Sequence, residues 1–299
     1  MRLLISKQSR LVPATVGFLL LFIAVSAAVP TFSKSAEILS SELVKLETRP
    51  GVTQKFILIK PENPMASVIL FAGGNGKLKL GSAFAKPTVL NLSKNFLVRT
   101  REDFAKHGLN VAVVDAPSDM AGKKRGMVTF SKETKKVFRM SDEHVQDIKA
   151  VVNYLQTQGN IPVWLVGTSA GTVSVTNGAI HIKEGIYGLV LTSTLTRFGK
   201  KFPMYSSHPK GVLDMELNKI TFPTLIVSHK EDKCGLTPAS DAPELKAALV
   251  NSPKVEVMYF TGGRRPKSKP CQALSAHGFY GIEDEVVTAI ADFIKTNSK

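Results

Sequence analysis

The chain has 299 residues, 43% of them hydrophobic and 21% charged, with a formal net charge of +15. Those proportions exclude a disordered, collagen-like or low-complexity chain and suit one folded domain. The charge admits anionic partners, but no helix-turn-helix or aromatic-platform pattern accompanies it, so specific nucleic-acid binding is not expected.

Along the chain, Arg2, Lys7 and Arg10 precede an apolar run from Val16 to Val25, and the small residues Ser26, Ala27 and Ala28 follow. This is the layout of a secretory signal peptide. Residues 1–28 are expected to be that signal and residues 29–299 a single exported, periplasmic domain, with an uncleaved membrane anchor as the alternative. The run is short for a full span. In an oxidising compartment the pair Cys234 and Cys271 suggests one disulfide. The six histidines show no zinc-type spacing, so neither metal nor cofactor is expected.

After a polar stretch from Thr31 to about Ser41, short β-rich runs alternate with helix-length amphipathic segments. Strands are expected at Gln54 to Lys60, Ala66 to Ala72, Asn110 to Ala116, Pro162 to Gly167, Gly188 to Ser193, Thr224 to Ser228 and Lys254 to Phe260. Runs such as "SVILF", "VAVV" and "VWLV" are apolar throughout, as in strands covered on both faces. Helices are expected at Asn95 to His107, Asp142 to Thr157, Ala170 to Lys183, Ala242 to Val250 and Glu283 to Lys295, with Ser141 an N-cap. The alternation predicts an α/β fold with a mostly parallel sheet, helices on both faces and no large cap domain. The long connections that follow strands emerge at the carboxyl edge, where ligands bind in such folds.

One of those edges carries "VWLVGTSAGT". A strand ending in Gly167-Thr168-Ser169-Ala170-Gly171 and passing at once into a helix must turn sharply, which lifts Ser169 above the sheet. A serine hydroxyl needs a histidine to take its proton and a carboxylate to orient that histidine. Downstream, "TLIVSHKEDKCGLTP" offers Glu231 and Asp232 behind a strand, and "SAHGFYGIEDEVV" offers His277 before the last helix. Asp232 is preferred because the acid loop then continues to Pro238. His229 precedes the acid and breaks the order. The glycine loop in "VILFAGGNGK" puts Gly74 or Asn75 in place to supply a second oxyanion N–H beside that of Ala170.

With Gly167 to Gly171, Asp232, His277 and Gly73 to Gly76 assigned, the chain resembles the α/β-hydrolase superfamily over about residues 50 to 297. The stretches "NFLVRTREDFAKHGLNVAVVDAPSD", "HVQDIKAVVNYL", "VWLVGTSAGT" and "HPKGVLDMELNKI" are similar to a group of exported bacterial α/β-hydrolases distantly related to dienelactone hydrolases and carboxylesterases. The resemblance implies the fold and a Ser-His-Asp triad. The expected activity is cleavage of a carboxylic ester or related acyl bond through an acyl-enzyme. A peptidase or thioesterase using the same triad, and a non-catalytic protein binding an anionic ligand on the same fold, are the alternatives. The expected disulfide would tie the acid loop to the histidine loop.

Removal of Arg2, Lys7 and Arg10 leaves +12, and the charge concentrates in three carboxyl-edge segments, Pro117 to Met140, Leu195 to Lys210 and Thr261 to Gly281. Arg139 is one of their cations, and Lys123, Lys124, Arg125, Lys200, Lys201, Arg264 and Arg265, with His208, are candidate substrate-rim residues. Such a rim would favour an anionic small-molecule substrate or contact with an anionic envelope surface. Phe130, Phe198, Phe202 and Tyr205 in the same segments are candidates for the walls of a substrate pocket, and His144 is expected at the surface of its helix.

Overall fold

A computed structural model describes residues 39–81 and 92–298. The signal-peptide expectation lies outside the described residues. Eight strands form one sheet in the order β1-β2-β4-β3-β5-β6-β7-β8: β1 Ser40–Arg49, β2 Val52–Lys60, β3 Ala66–Phe71, β4 Leu109–Val114, β5 Val163–Thr168, β6 Gly188–Thr192, β7 Thr224–His229 and β8 Val255–Phe260. The pairs β1–β2 and β2–β4 are antiparallel and the rest parallel.

Strand β1 is an element the hydrophobic pattern does not announce. Its alternation in "SELVKLETR" is diluted by charge, as suits an edge strand with one face wet. Pairing with β2 through a tight turn at Gly51, φ +70°, supplies what propensity lacks. The seven expected strands all form, with ends shifted by at most two residues.

The helices are α1 Phe96–Arg99, α2 Arg101–Lys106, α3 Ser118–Ala121, α4 Asp142–Thr157, α5 Gly171–His181, α6 Ala242–Ala248 and α7 Glu283–Thr296. The single helix expected at 95–107 is broken at Thr100, whose hydroxyl donates to the carbonyl of Phe96 at 2.8 Å, a local bond that competes with the helical ladder. Ser141 caps α4, accepting from the N–H of His144 at 3.3 Å.

Strands β3 to β7 are buried along their whole length, and successive side chains feed two cores. Ile69, Leu165, Leu189 and Leu191 pack with Ile148, Val151, Val152 and Leu155 of α4 and Val173 and Val175 of α5. Val68, Leu70, Val111, Val113 and Trp164 pack with Phe96, Phe104 and the Val286, Val287, Ile290 and Ile294 stripe of α7. Each such side chain contributes about 1.5–3 kcal/mol on burial, so the sheet is a rigid platform for what its edge carries. From β3 the chain builds outward to β4 on one side and to β5 on the other, which makes the carboxyl ends of β3 and β5 the switch point of the sheet.

Candidate active site

Ser169 stands at that switch point, directly after β5, with φ +55°. A left-handed residue other than glycine costs on the order of 1–2 kcal/mol. Its surroundings hold it there: its N–H donates to the carbonyl of Thr192 at 3.0 Å, and its own carbonyl accepts from the Thr172 hydroxyl at 2.6 Å. The flanking glycines answer to space as well. A methyl on Gly167 would lie 2.7 Å from the Gly171 carbonyl oxygen and from Val175 Cγ2, and one on Gly171 would collide with the carbonyl of Phe71 at the end of β3. Helix α5 therefore begins against β3 with no room for a side chain between them.

Asp232 follows β7 and points inward, while Glu231 is exposed. Asp232 Oδ1 accepts from the N–H of Cys234 at 2.8 Å, and Oδ2 accepts from the Thr237 hydroxyl at 2.9 Å and from His277 Nδ1 at 3.0 Å. The two side chains are 2% and 6% exposed. With Nδ1 occupied by the carboxylate, Nε2 is the free basic nitrogen of His277. Thr237 Oγ1 also lies 3.1 Å from Nδ1, so the hydroxyl braces both partners. Nothing in "CGLTPAS" singles out Thr237, because its role depends on how the loop folds back. His229 is buried elsewhere and satisfied, with Nδ1 accepting from the Glu231 N–H and Nε2 meeting the Gly262 carbonyl.

The histidine loop is clamped from several directions. Ser193 Oγ donates to the His277 carbonyl at 2.8 Å. Arg99, ion-paired with Glu283 at 2.8 Å, donates to the carbonyls of Lys94, Ala273 and Gly278. The expected disulfide forms between Cys234 and Cys271 with Cα atoms 4.6 Å apart, so a covalent tie joins the acid loop to the segment leading into His277.

Ser169 and His277 line one cleft of about 460 Å³ with Gly73, Gly74, Lys94, Asn95 and Gln272. They share no hydrogen bond among the described residues. Gly73 packs against the serine, since a methyl there would be 3.0 Å from Ser169 Cβ. The chain just after the glycine loop is held by Asp115 at the end of β4, whose carboxylate accepts from the N–H groups of Leu78 and Leu80, each at 2.7 Å. The N–H groups of Gly74, Asn75 and Ala170 have no protein acceptor among the described residues. A second recess of about 510 Å³ adjoins them, walled by Gly74, Asn75, Ala170, Val128, Leu195, Phe198, Phe202 and Leu236. The Phe198 and Phe202 rings stack with centroids 5.1 Å apart. Phe130 packs against the core, and exposed Tyr205 lines a separate cleft.

The rim is more divided than the charge count implies. Lys123, Lys124, Arg125, Lys200, Lys201, Arg264 and Arg265 are exposed. Lys201 lines the apolar recess, and Arg264 lines a separate cleft with Glu231 and Lys233. Arg197 pairs with Asp241 and Lys210 with Glu244, acids supplied by the chain around α6. His208 is half-buried, meets Ser207 Oγ at 3.0 Å and lies outside the linings of both recesses beside Ser169; burial lowers its pKa.

One expectation is overturned, and one cation counted in the edge segments turns inward. His144 is fully buried, its ring packed edge-on against Phe71 and tilted against Phe138, with neither nitrogen hydrogen-bonded; burial first, then Arg139 and Arg49, hold its pKa well below the usual histidine value. Arg139 does not belong to the rim. It is buried beneath the glycine loop, where Nη1 donates to Ser174 Oγ at 2.6 Å and Nη2 to the carbonyls of Ala72 at 2.9 Å and Gly74 at 3.3 Å. Burial pushes its pKa down to about 9, which still leaves it protonated at neutral pH. The sequence signal for this was slight: one cation enclosed by apolar neighbours in "VFRM".

No groups of metal-ligating side chains occur among the described residues, and none of their helices is long and apolar enough to cross a membrane. No protein-family model and no curated protein matches the chain. Solved structures do. An esterase from Pyrococcus furiosus superposes with a TM-score of 0.58 at 16% identity, covering 87% of this chain and 92% of its own. A dienelactone hydrolase from Anabaena variabilis gives 0.56 at 12%, covering 87% and 99%. A proline iminopeptidase from Mycobacterium smegmatis gives 0.56 at 12%, covering 86% and 99%. The chain therefore has the α/β-hydrolase fold, with no large cap among the described residues.

Proposed function

We propose that this chain is an exported serine hydrolase that cleaves carboxylic esters. The observation that carries the reading is the left-handed Ser169 sharing one cleft with a His277 whose Nδ1 is held by buried Asp232. Ser169 Oγ attacks the ester carbonyl carbon while Nε2 of His277 takes its proton. Asp232 stabilises the resulting imidazolium, and the N–H groups of Ala170 and Asn75 receive the oxyanion. The C–O bond to the leaving group breaks, and His277 returns the proton to the departing alkoxide. Water, activated by the same histidine, then frees the acid and restores the serine. No cofactor enters this cycle.

The two recesses suggest which half of the ester goes where. The leaving group must lie within reach of His277, in the cleft with Lys94, Asn95 and Gln272. The acyl group then takes the recess walled by Val128, Leu195, Phe198, Phe202 and Leu236, which suits an apolar chain or ring. Lys94 and Lys201 at these openings leave room for an anionic group on the substrate; salt that weakens cleavage of acidic esters more than neutral ones would support that preference. Export rests on the signal-like leader and the disulfide.

The test is a fluorophosphonate probe on the purified full chain, with the labelled residue mapped by mass spectrometry. Labelling at Ser169 that Ser169→Ala abolishes supports an activated nucleophile, and parallel ester, thioester and aminoacyl-amide substrates then rank the bond cleaved. A folded chain that neither labels nor hydrolyses any of them removes the hydrolase reading in favour of a ligand-binding one.

A further inference from the structure

A buried guanidinium is costly unless its donors find partners, and the usual partner is a carboxylate. Arg139 has none among the described residues. Its acceptors are two main-chain carbonyls of the glycine loop and the hydroxyl of Ser174 on α5, the helix that begins beside the nucleophile. We propose that Arg139 is the positioning residue of the oxyanion hole, holding the Ala72 and Gly74 carbonyls behind the loop so that the Asn75 N–H faces the recess that Asn75 and Ala170 line beside Ser169. The inference rests on the hydrolase reading above and adds a residue to it.

Peptide geometry couples the Gly74 carbonyl to the Asn75 N–H. In a planar trans peptide the C=O and the following N–H point in opposite directions. Drawing the Gly74 oxygen inward toward Nη2 therefore turns the Asn75 N–H outward, and that N–H has no protein acceptor among the described residues. The loop cannot make this choice alone. Gly74 and Gly76 both sit at positive φ, +59° and +68°, and glycine occupies either sign of φ readily, so the 74–75 peptide is free to flip unless something outside the loop grips it. The neighbouring ties leave its carbonyl unheld: Asn75 O accepts from the Met127 N–H at 2.9 Å, and Asn75 Oδ1 accepts from the Lys77 N–H at 3.1 Å. Arg139 also fits the loop closely, since a methyl on Gly76 would stand 2.8 Å from Nη2.

The third bond gives the arrangement its register. Nη1 on Ser174 ties the same planar fork to α5, so one rigid group relates the loop that carries Asn75 to the helix that follows Ala170. A positive charge fixed behind the donors also favours the oxyanion, with no reorganisation needed at the moment of reaction.

Arg139→Met and Arg139→Lys in the full chain test this, with kcat and KM measured on a p-nitrophenyl ester and on its thiono analogue, in which the carbonyl oxygen is sulfur. Sulfur accepts hydrogen bonds poorly, so the oxo-to-thiono rate ratio reads the oxyanion donors themselves. The expected result for Arg139→Met is a fall in kcat of about 10²- to 10³-fold, as when one oxyanion donor is lost, with KM within a few-fold and a smaller oxo-to-thiono ratio. Arg139→Lys keeps the charge without the planar fork and should fall between Met and wild type. If Arg139→Met does not fold, the lysine variant decides. A folded variant with wild-type kcat and an unchanged ratio overturns the proposal while leaving the hydrolase reading intact; a wild type that is unlabelled and inactive overturns both.

Discussion

Gly171→Ala should cripple the site without touching any group that performs chemistry. The added methyl would press on the carbonyl oxygen of Phe71, far inside the 3.0 Å that real Cβ contacts respect, and both atoms belong to the backbone, so no side chain can swing away. The gap between the end of β3 and the first turn of α5 must open by about 1 Å, a displacement that carries the Ala170 N–H and the Ser169 hydroxyl away from the glycine loop and costs on the order of 10²-fold in rate. That loss corresponds to about 2.7 kcal/mol of transition-state stabilisation. The control is Gly178→Ala two turns along α5, where the atoms nearest the methyl would be side-chain carbons, Leu165 Cδ1 at 3.1 Å and Ile148 Cδ1 and Cγ2 at 3.3 and 3.4 Å. There the alanine's helix propensity, worth about 1 kcal/mol, offsets the tighter packing. Ester kcat/KM and fluorophosphonate labelling rate would be read together with Tm by circular dichroism. Gly178→Ala should keep both rate and Tm close to wild type, and Gly171→Ala should lose rate out of proportion to Tm. A folded Gly171→Ala enzyme with wild-type kcat/KM would refute the close-approach reasoning.

Asp232→Asn should lower kcat by about 10⁴-fold with the fold intact, because an amide facing Nδ1 favours the wrong imidazole tautomer; a loss under tenfold would show that another group orients His277. Cys271→Ser should lower the urea-unfolding free energy by up to about 4 kcal/mol, the chain-entropy value for the 37-residue separation of the bridged cysteines. Activity should fall less, since Arg99 and Ser193 still hold the histidine loop, and an unchanged urea midpoint would contradict the estimate. His144, buried and neutral with its pKa held down by desolvation, leaves the native state refusing a proton that the unfolded chain accepts below its ordinary value near 6.5. Stability should therefore decline as pH drops below about 6.5, by up to about 1.4 kcal/mol per pH unit from this group. His144→Phe, which keeps a ring between Phe71 and Phe138, should flatten that acid limb, and equal acid losses in both proteins would rule the cause out.

What could be read from the sequence was whatever depends on local order. A buried strand announces itself by uninterrupted apolar residues, a glycine-flanked serine between strand and helix marks a sharp turn at Ser169, and order along the chain singles out Asp232, His277 and the glycine loop as candidates. The cysteine pair could be read too, since two cysteines admit one intramolecular bridge. Strand β1 escaped because an edge strand needs apolar residues on one face only, and its stability comes from the partner it pairs with. Thr237, Arg99 and Arg139 escaped for a stronger reason: they act on residues 5 to 184 positions away, through hydrogen bonds that exist only after the loops have folded onto one edge of the sheet. Charge misled for the same cause. An arginine counts as +1 wherever it lies, and only the tertiary structure decided that Arg139 turns inward beneath the glycine loop while Lys123, Lys124 and Arg125 face water. The sequence by itself set the order of Ser169, Asp232 and His277 along the chain, and only the folding of distant loops onto one edge of the sheet put Ser169 and His277 in one cleft and turned Arg139 beneath the glycine loop.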